Sequence, residues 1–334
     1  MRLAWVEAGR EKTAMNVAGL CCVVALALVS GVAWSQAYPA KPVRLVVPFP
    51  VGGASDIIGR AVGIRLAEVW KQSILVDNRA GASAQIGTES VARAAPDGYT
   101  LLVVEPTFTI TPALFPKAPF DVLRDFAPIV QMGRAPHVLV VHPSIPVKTM
   151  KELIALARAR PGDLNFASPG TGSMGHLGLE LVKQRAKVNI VHIPYKGAGP
   201  AVVDLLGGQV SIGFVSVSSA LPNIKAGRLR GIAVTTAQRF SVVPDLPTIA
   251  EAALPGFDLV HWWGLVAPRG TSADLVNRIA ADATRLLELP DMKERLLTMG
   301  IEALATSPDQ FGAFVRSEVE KWGTLVRDSG AKVE

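Results

Sequence analysis

The chain has 334 residues, 49% hydrophobic and 19% charged, with 34 Lys and Arg against 28 Asp and Glu for a formal net charge of +6. This length exceeds the usual single core and this composition excludes a disordered chain, while the only two cysteines, Cys21 and Cys22, exclude a disulfide scaffold or a four-thiolate zinc site. Aromatic residues make up only 6% and the basic residues are scattered rather than clustered, which argues against a nucleic-acid partner.

Residues 1–37 read as a secretory signal peptide. Arg2, Arg10 and Lys12 precede an apolar run from Val17 to Ala33, and Ser35-Gln36-Ala37 puts small residues at the −3 and −1 positions of a cleavage site after Ala37. A membrane anchor is the alternative, but the strictly apolar core falls short of the roughly 20 residues a spanning helix prefers. Glu7 and Glu11 are unusual in a leader; initiation at Met15 would remove them, together with the positive charges. Leu20, where a small residue is expected before Cys21, argues against a lipoprotein. Taking 37 residues from 334 leaves 297, and losing Arg2, Arg10, Lys12, Glu7 and Glu11 lowers the net charge from +6 to +5. Both cysteines leave with the leader, so the mature chain has no thiol chemistry.

Strands and helices then alternate. Val43–Val47 is a β-branched run stopped by Pro48, and a helix opens at Ser55 with Ile57, Ile58, Ala61, Val62, Leu66 and Val69 at helical spacing. Ile74–Val76 and Leu101–Val104 read as strands on either side of a helix at 86–95, which Pro96-Asp97-Gly98 closes. Val138–Val141 is another strand, and Thr149 caps a helix over Met150–Ala159. Further strands fall at 164–167, 190–193, 212–215 and 231–234, with helices at 201–206, 273–287, 292–299 and 308–326. This alternation predicts an α/β fold with mainly parallel sheets.

Two junctions echo each other. Val47-Pro48-Phe49 leads through Gly52-Gly53 to Ser55, and Ile193-Pro194-Tyr195 leads through Gly197-Ala198-Gly199 to Pro200. Each would put a helix N-terminus at the carboxyl end of a strand, where open α/β sheets bind ligands and free N–H groups favour anions. Ordinary βα turns would also use Gly and Pro here. In the same bland sense Ser55 and Asp56 read as a helix cap with a dipole-favoured acid, Lys196 as a solvated loop lysine or a counter-charge, and Trp262-Trp263 as core or cleft wall.

Other motifs carry less. Gly170-Thr171-Gly172-Ser173-Met174-Gly175 is a literal G-x-G-x-x-G, but no acid follows between Glu180 and Asp204, so it does not predict a dinucleotide site. A serine hydrolase acting on a small carboxylate ester or amide is the rival function, with Ser173 as nucleophile, His176 or His192 as base and Asp204 as orienter. Thr171-x-Ser173-x-Gly175 lacks the first glycine of a nucleophile elbow. Metal ligation has no H-E-x-x-H or carboxylate cluster to rest on, and His137 and His142, five apart on a strand, face opposite sides.

Several segments in order carry a family likeness. They are Tyr38-Pro39, Lys41-Pro42-Val43-Arg44-Leu45-Val46-Val47-Pro48-Phe49, Gly52-Gly53 with Asp56, Asn78-Arg79 with Gly81, and Pro96-Asp97-Gly98-Tyr99-Thr100-Leu101. Tyr195-Lys196-Gly197, Ile224-Lys225-Ala226-Gly227 with Leu229, and Trp263-Gly264 with Ala267-Pro268 complete the set. From Tyr38 onward the chain resembles the solute-binding receptors of tripartite tricarboxylate transporters, the Bordetella uptake gene (Bug) family.

The resemblance implies a periplasmic receptor of the two-lobed, Venus-flytrap α/β fold that is not an enzyme and uses no cofactor or metal. It would close on a small mono-, di- or tricarboxylate and deliver it to a membrane permease or sensor. By analogy residues 38–138 and 262–334 form one lobe and 139–261 the other. The ligand carboxylate would lie between two loops, held by backbone amides and bridging waters. One loop carries Phe49, Val51, Gly52, Gly53, Ser55 and Asp56; the other carries Tyr195, Lys196, Gly197 and Ala198. Ser168, Gly172 and Ser173 would meet the distal end of the ligand and Thr107 would line the wall. The chain departs from the family pattern at Val51, Ala80 and Ala84, and at Val215-Ser216 where the family often has Asp-Asn. That last change disfavours ligands with an ammonium group.

Overall fold

The structure, a computed structural model, describes residues 38–329. The signal peptide, its cleavage site and both cysteines lie outside the described residues.

The β-branched run forms β1 (Val43–Val47), and Pro48, with no N–H for a ladder, follows it directly. α1 (Ala54–Trp70) buries Ile58, Ala61, Val62 and Leu66, the spacing read from the sequence. Next come β2 (Ile74–Asn78), α2 (Gln85–Ala92), β3 (Thr100–Val104), α3 (Pro106–Leu114), β4 (Phe126–Ala135) and β5 (His137–Val141). α4 (Met150–Ala159) is capped by Thr149, whose hydroxyl accepts the Glu152 N–H at 3.2 Å. It leads to β6 (Asn165–Ser168), α5 (Met174–Ala186), β7 (Val191–Pro194), α6 (Ala198–Leu206), β8 (Ile212–Ser216) and α7 (Val217–Lys225). β9 (Arg230–Val234), α8 (Ile249–Ala252), β10 (His261–Pro268), α9 (Ala273–Glu288), α10 (Pro290–Thr298), β11 (Glu302–Ala303) and α11 (Pro308–Ser329) complete the order.

The strands form two sheets. One has six strands in the order β11-β4-β10-β3-β1-β2, and the other five in the order β7-β6-β8-β5-β9. β1 runs parallel to β2 and β3, and β6 parallel to β7 and β8. The remaining pairings are antiparallel: β10 with β3 and β4, β11 with β4, and β5 with β8 and β9. Both sheets are therefore mixed. β4 and β10, which have no counterpart among the sequence-read strands, supply the antiparallel half of the larger one.

Helices cover both sheets. Val46, Leu102, Val104, Phe126, Trp262 and Val266 of the six-stranded sheet pack with Val91, Phe108 and Phe311 from α2, α3 and α11. Phe166, Phe214 and Ile212 of the five-stranded sheet pack with Leu153, Leu177 and Leu181, and with Trp322 and Leu325 from the far end of α11. The other face of that sheet packs on Leu205 of α6 and Ala220 of α7.

The chain crosses between the sheets at Pro136 and again between β9 and β10. Thr235 ties these two passages together. Its N–H donates to the His137 carbonyl at 3.0 Å, its hydroxyl accepts the His137 N–H at 2.9 Å, and its carbonyl accepts the Leu259 N–H at 2.9 Å.

Candidate functional site

A cavity of about 1030 Å³ opens where the carboxyl ends of β1, β3, β6 and β8 meet the starts of β5 and β10. Its ionisable lining residues are Glu105, His137 and His261; among the described residues no Lys or Arg lines it.

The β1–α1 junction builds one wall through Phe49, Pro50, Gly52, Ala54 and Ile57. Gly52 has φ +85°, a conformation that favours glycine, and its N–H donates to Asp56 Oδ2 at 2.9 Å. Asp56 Oδ1 accepts Arg60 Nε at 2.9 Å and Asn78 Nδ2 at 2.9 Å, and Asn78 Nδ2 reaches the Phe49 carbonyl at 3.1 Å. Burial would push the Asp56 carboxyl up, but the hydrogen bonds from Arg60, Gly52 and Asn78 outweigh it and hold the group below its ordinary value. Neither Ser55 nor Asp56 caps the helix. The N-cap is Gly53, with no side-chain cap, and Ser55 Oγ instead accepts the Trp263 indole N–H at 3.2 Å.

The β7–α6 junction faces it, with Ala198, Ala201 and Val202 on the cavity. The Tyr195 N–H donates to the Ser168 carbonyl at 3.0 Å, and the Gly197 N–H to the Pro169 carbonyl at 2.9 Å. Gly197, at φ +112°, is the N-cap of α6, again without a side-chain cap. By contrast Thr149, Ser173, Thr248 and Ser272 cap α4, α5, α8 and α9. The Tyr195 hydroxyl donates to Asp204 Oδ2 at 2.7 Å; burial and then that carboxylate push the phenol up to about 12.

The β6–α5 turn lines the cavity with residues 169–175, and Ser173 Oγ donates to the Gly170 carbonyl at 2.7 Å. The hydrolase constellation is not assembled. Ser173 is spent on that carbonyl and on capping α5, His192 Nε2 lies 2.6 Å from Ser168 Oγ instead, His176 Nδ1 accepts the Gly172 N–H, and Asp204 holds Tyr195.

Of the residues expected at the site, Phe49, Gly52, Thr107, Gly172, Ser173 and Ala198 line the cavity. Ser55, Asp56, Ser168, Tyr195 and Gly197 stand behind that lining and brace it, whereas Val51, 70% exposed, Gly53 and Lys196 are exposed to solvent.

The floor includes a cluster that sequence reasoning missed. Glu105 is buried at the N-cap of α3 and accepts the Thr107 N–H at 3.2 Å and the Thr107 hydroxyl. Its Oε2 lies 3.0 Å from His261 Nε2, an ion-pair distance, and that ring nitrogen has no other partner among the described residues. Burial favours the neutral acid, yet His261 and Thr107 together hold the carboxyl below its ordinary value. The His261 ring stands 5.5 Å from that of His137 and 4.5 Å from that of Trp263. His137 is pushed down to about 3 by burial and then by the charge of His261, so it is a neutral imidazole. The signal available was an acid at a strand's carboxyl end, immediately before a helix-opening proline.

A two-sheet α/β frame with a cleft at converging strand ends places a ligand where open α/β sheets bind one. The family model of the tripartite tricarboxylate transporter family receptor matches residues 58–331. R. palustris Rpa4515 with adipate superposes with a TM-score of 0.81 at 35% identity, covering 89% of this chain and 100% of that one. The periplasmic binding protein BugD gives 0.77 at 31% identity, covering 89% and 100%. MatC from Rhodopseudomonas palustris with bound malate gives 0.76 at 32% identity, covering 86% and 100%. The chain belongs to the tripartite tricarboxylate transporter receptor family, and its fold is that of the two-lobed periplasmic binding proteins. It is a solute-binding receptor, not an enzyme.

Proposed function

We propose that this receptor works in the periplasm, captures a small organic carboxylate by closing its two lobes, and hands it to a membrane permease or sensor. In this reading the lobes are the six-stranded and the five-stranded sheet, each with its helices; the division at 138/139 and 261/262 expected from the family likeness falls one to two residues inside β5 and β10. The observation that carries the reading is the pair of facing helix N-termini, α1 and α6, both glycine-capped and open, at a cleft with no Lys or Arg in its lining. Backbone N–H groups and helix dipoles attract an anion there without a side-chain counter-charge. Adipate in Rpa4515 and malate in MatC support a carboxylate as the anion.

In this reading the carboxylate lies between Phe49–Asp56 and Tyr195–Ala198. Ala198 offers backbone, and Gly52, Gly53 and Gly197 shape the turns that present the two helix N-termini. Their own N–H groups are bonded to Asp56, Pro50 and Pro169, while Ser55, Asp56 and Tyr195 hold the loops. Val51 and Lys196 sit at the rim. Ser168, Gly172 and Ser173 shape the far end, and Thr107 contributes its wall. Closure is rigid-body motion about the crossovers joined by Thr235.

A thermal-shift screen against mono-, di- and tricarboxylates tests it. A true ligand at about 100 Kd adds about 2.7 kcal/mol of stability. Stabilisation by amines or sugars but by no carboxylate would contradict the assignment.

A further inference from the structure

The β6–α5 turn is braced from behind by two imidazoles. His176, 7% exposed, accepts the Gly172 N–H at Nδ1 over 3.1 Å. Its ring lies flat on that of His192, with centroids 4.1 Å apart and planes 9° from parallel. His192 Nε2 stands 2.6 Å from Ser168 Oγ, which also accepts the Gly170 N–H at 3.1 Å. Gly170 and Gly172 have φ +144° and +79°, and glycine has little preference of its own to keep the backbone there. The turn is therefore held by its bonds.

The bond to Gly172 fixes the protonation state of His176. A neutral imidazole has one N–H and one lone pair; Gly172 uses the lone pair at Nδ1, so the ring proton sits on Nε2. A second proton has only Nδ1 to occupy, directly against the Gly172 N–H.

We propose that His176 is a positioning residue of the ligand site. As an uncharged ring stacked on His192 it fixes the Gly170–Ser173 backbone toward the ligand, and taking up a proton frees that turn. This rests on the receptor reading of the cleft. Burial, the largest influence, pushes both rings below their ordinary value, His192 to about 4. The charged groups acting on the pair are Glu180 and Lys183 of α5, ion-paired at 2.8 Å; β6 and β7 carry no other titratable side chain. Glu180 favours the protonated ring of His176, while Lys183 opposes protonation of either ring.

Amide exchange of Gly172, followed by NMR in the ligand-free protein and corrected for intrinsic rate, tests the proposal directly. His176→Phe keeps a flat ring and removes the acceptor; His176→Asn keeps an acceptor near the Nδ1 position. At pH 7 the wild type should exchange at least tenfold more slowly than His176→Phe, with His176→Asn closer to wild type. Wild-type protection should fall as the pH is lowered from 7 toward 4, with little change in His176→Phe. Equal protection in wild type and the Phe variant, or protection independent of pH in the wild type, overturns the proposal; the pH series decides alone if a variant fails to fold. Binding of a carboxylate panel that includes adipate is read separately at pH 7. If none binds, the carboxylate reading fails and the exchange result still stands.

Discussion

Two side chains at the cleft floor, Glu105 and His137, contribute to how the protein responds to acid. Glu105 is held below its ordinary 4.5, so the stability it contributes is present above that pH and is lost as pH falls through its folded value. His137 acts in the same direction. The unfolded chain takes up a proton near 6.5, the folded ring not until about 3, so the unfolded state binds more protons throughout that interval. Stability therefore declines as the pH drops from 6.5 toward 3, at up to about 1.4 kcal/mol per pH unit for one such group. His137→Leu should flatten this decline between pH 6.5 and 5, above the range where Glu105 titrates. Urea midpoints across that range measure it, and an unchanged slope would mean that His137 is protonated in the folded protein.

Among the elements, β10 bears the closest packing. A Cβ on Gly264 would fall inside the Phe311 ring of α11, so the strand and the C-terminal helix meet only because this residue has no side chain. Gly264→Ala should cost about 1–3 kcal/mol or more, read as a lower urea midpoint at unchanged m-value. Phe311→Leu should recover part of the loss; no recovery would place the strain elsewhere. Glycine at this position also explains why β10 was not legible in the sequence. His261–Pro268 has no period-2 alternation, because both faces of the strand are buried, and Pro128 and Gly133 interrupt β4 in the same way. α3, with its three threonines and Pro112, and α7, with Pro222, carry little helical signal. β1, β5 and α4 were read to within one residue, because their β-branched runs and the Thr149 cap are local signals. The two glycine junctions were legible for the same reason. The Glu105–His137–His261 cluster was not, because tertiary folding alone brings three distant strand ends together.

At the scale of the whole molecule, the fold converts weak local features into one site. Each open helix N-terminus alone would attract water as readily as a ligand. In the proposed reading, two of them across a cleft of about 1030 Å³ form an anion position that exists only when both sheets contribute. With the contacts drawn from backbone, that reading fixes the charge sign of the ligand more firmly than its identity. The most direct measurement is titration calorimetry of the chain from Tyr38 onward with mono-, di- and tricarboxylates, followed by recovery of the ligand. The account predicts that at least one carboxylate binds with 1:1 stoichiometry and is recovered chemically unchanged. A panel in which no carboxylate binds, or a bound compound that is turned over and spared by Ser173→Ala, would contradict it.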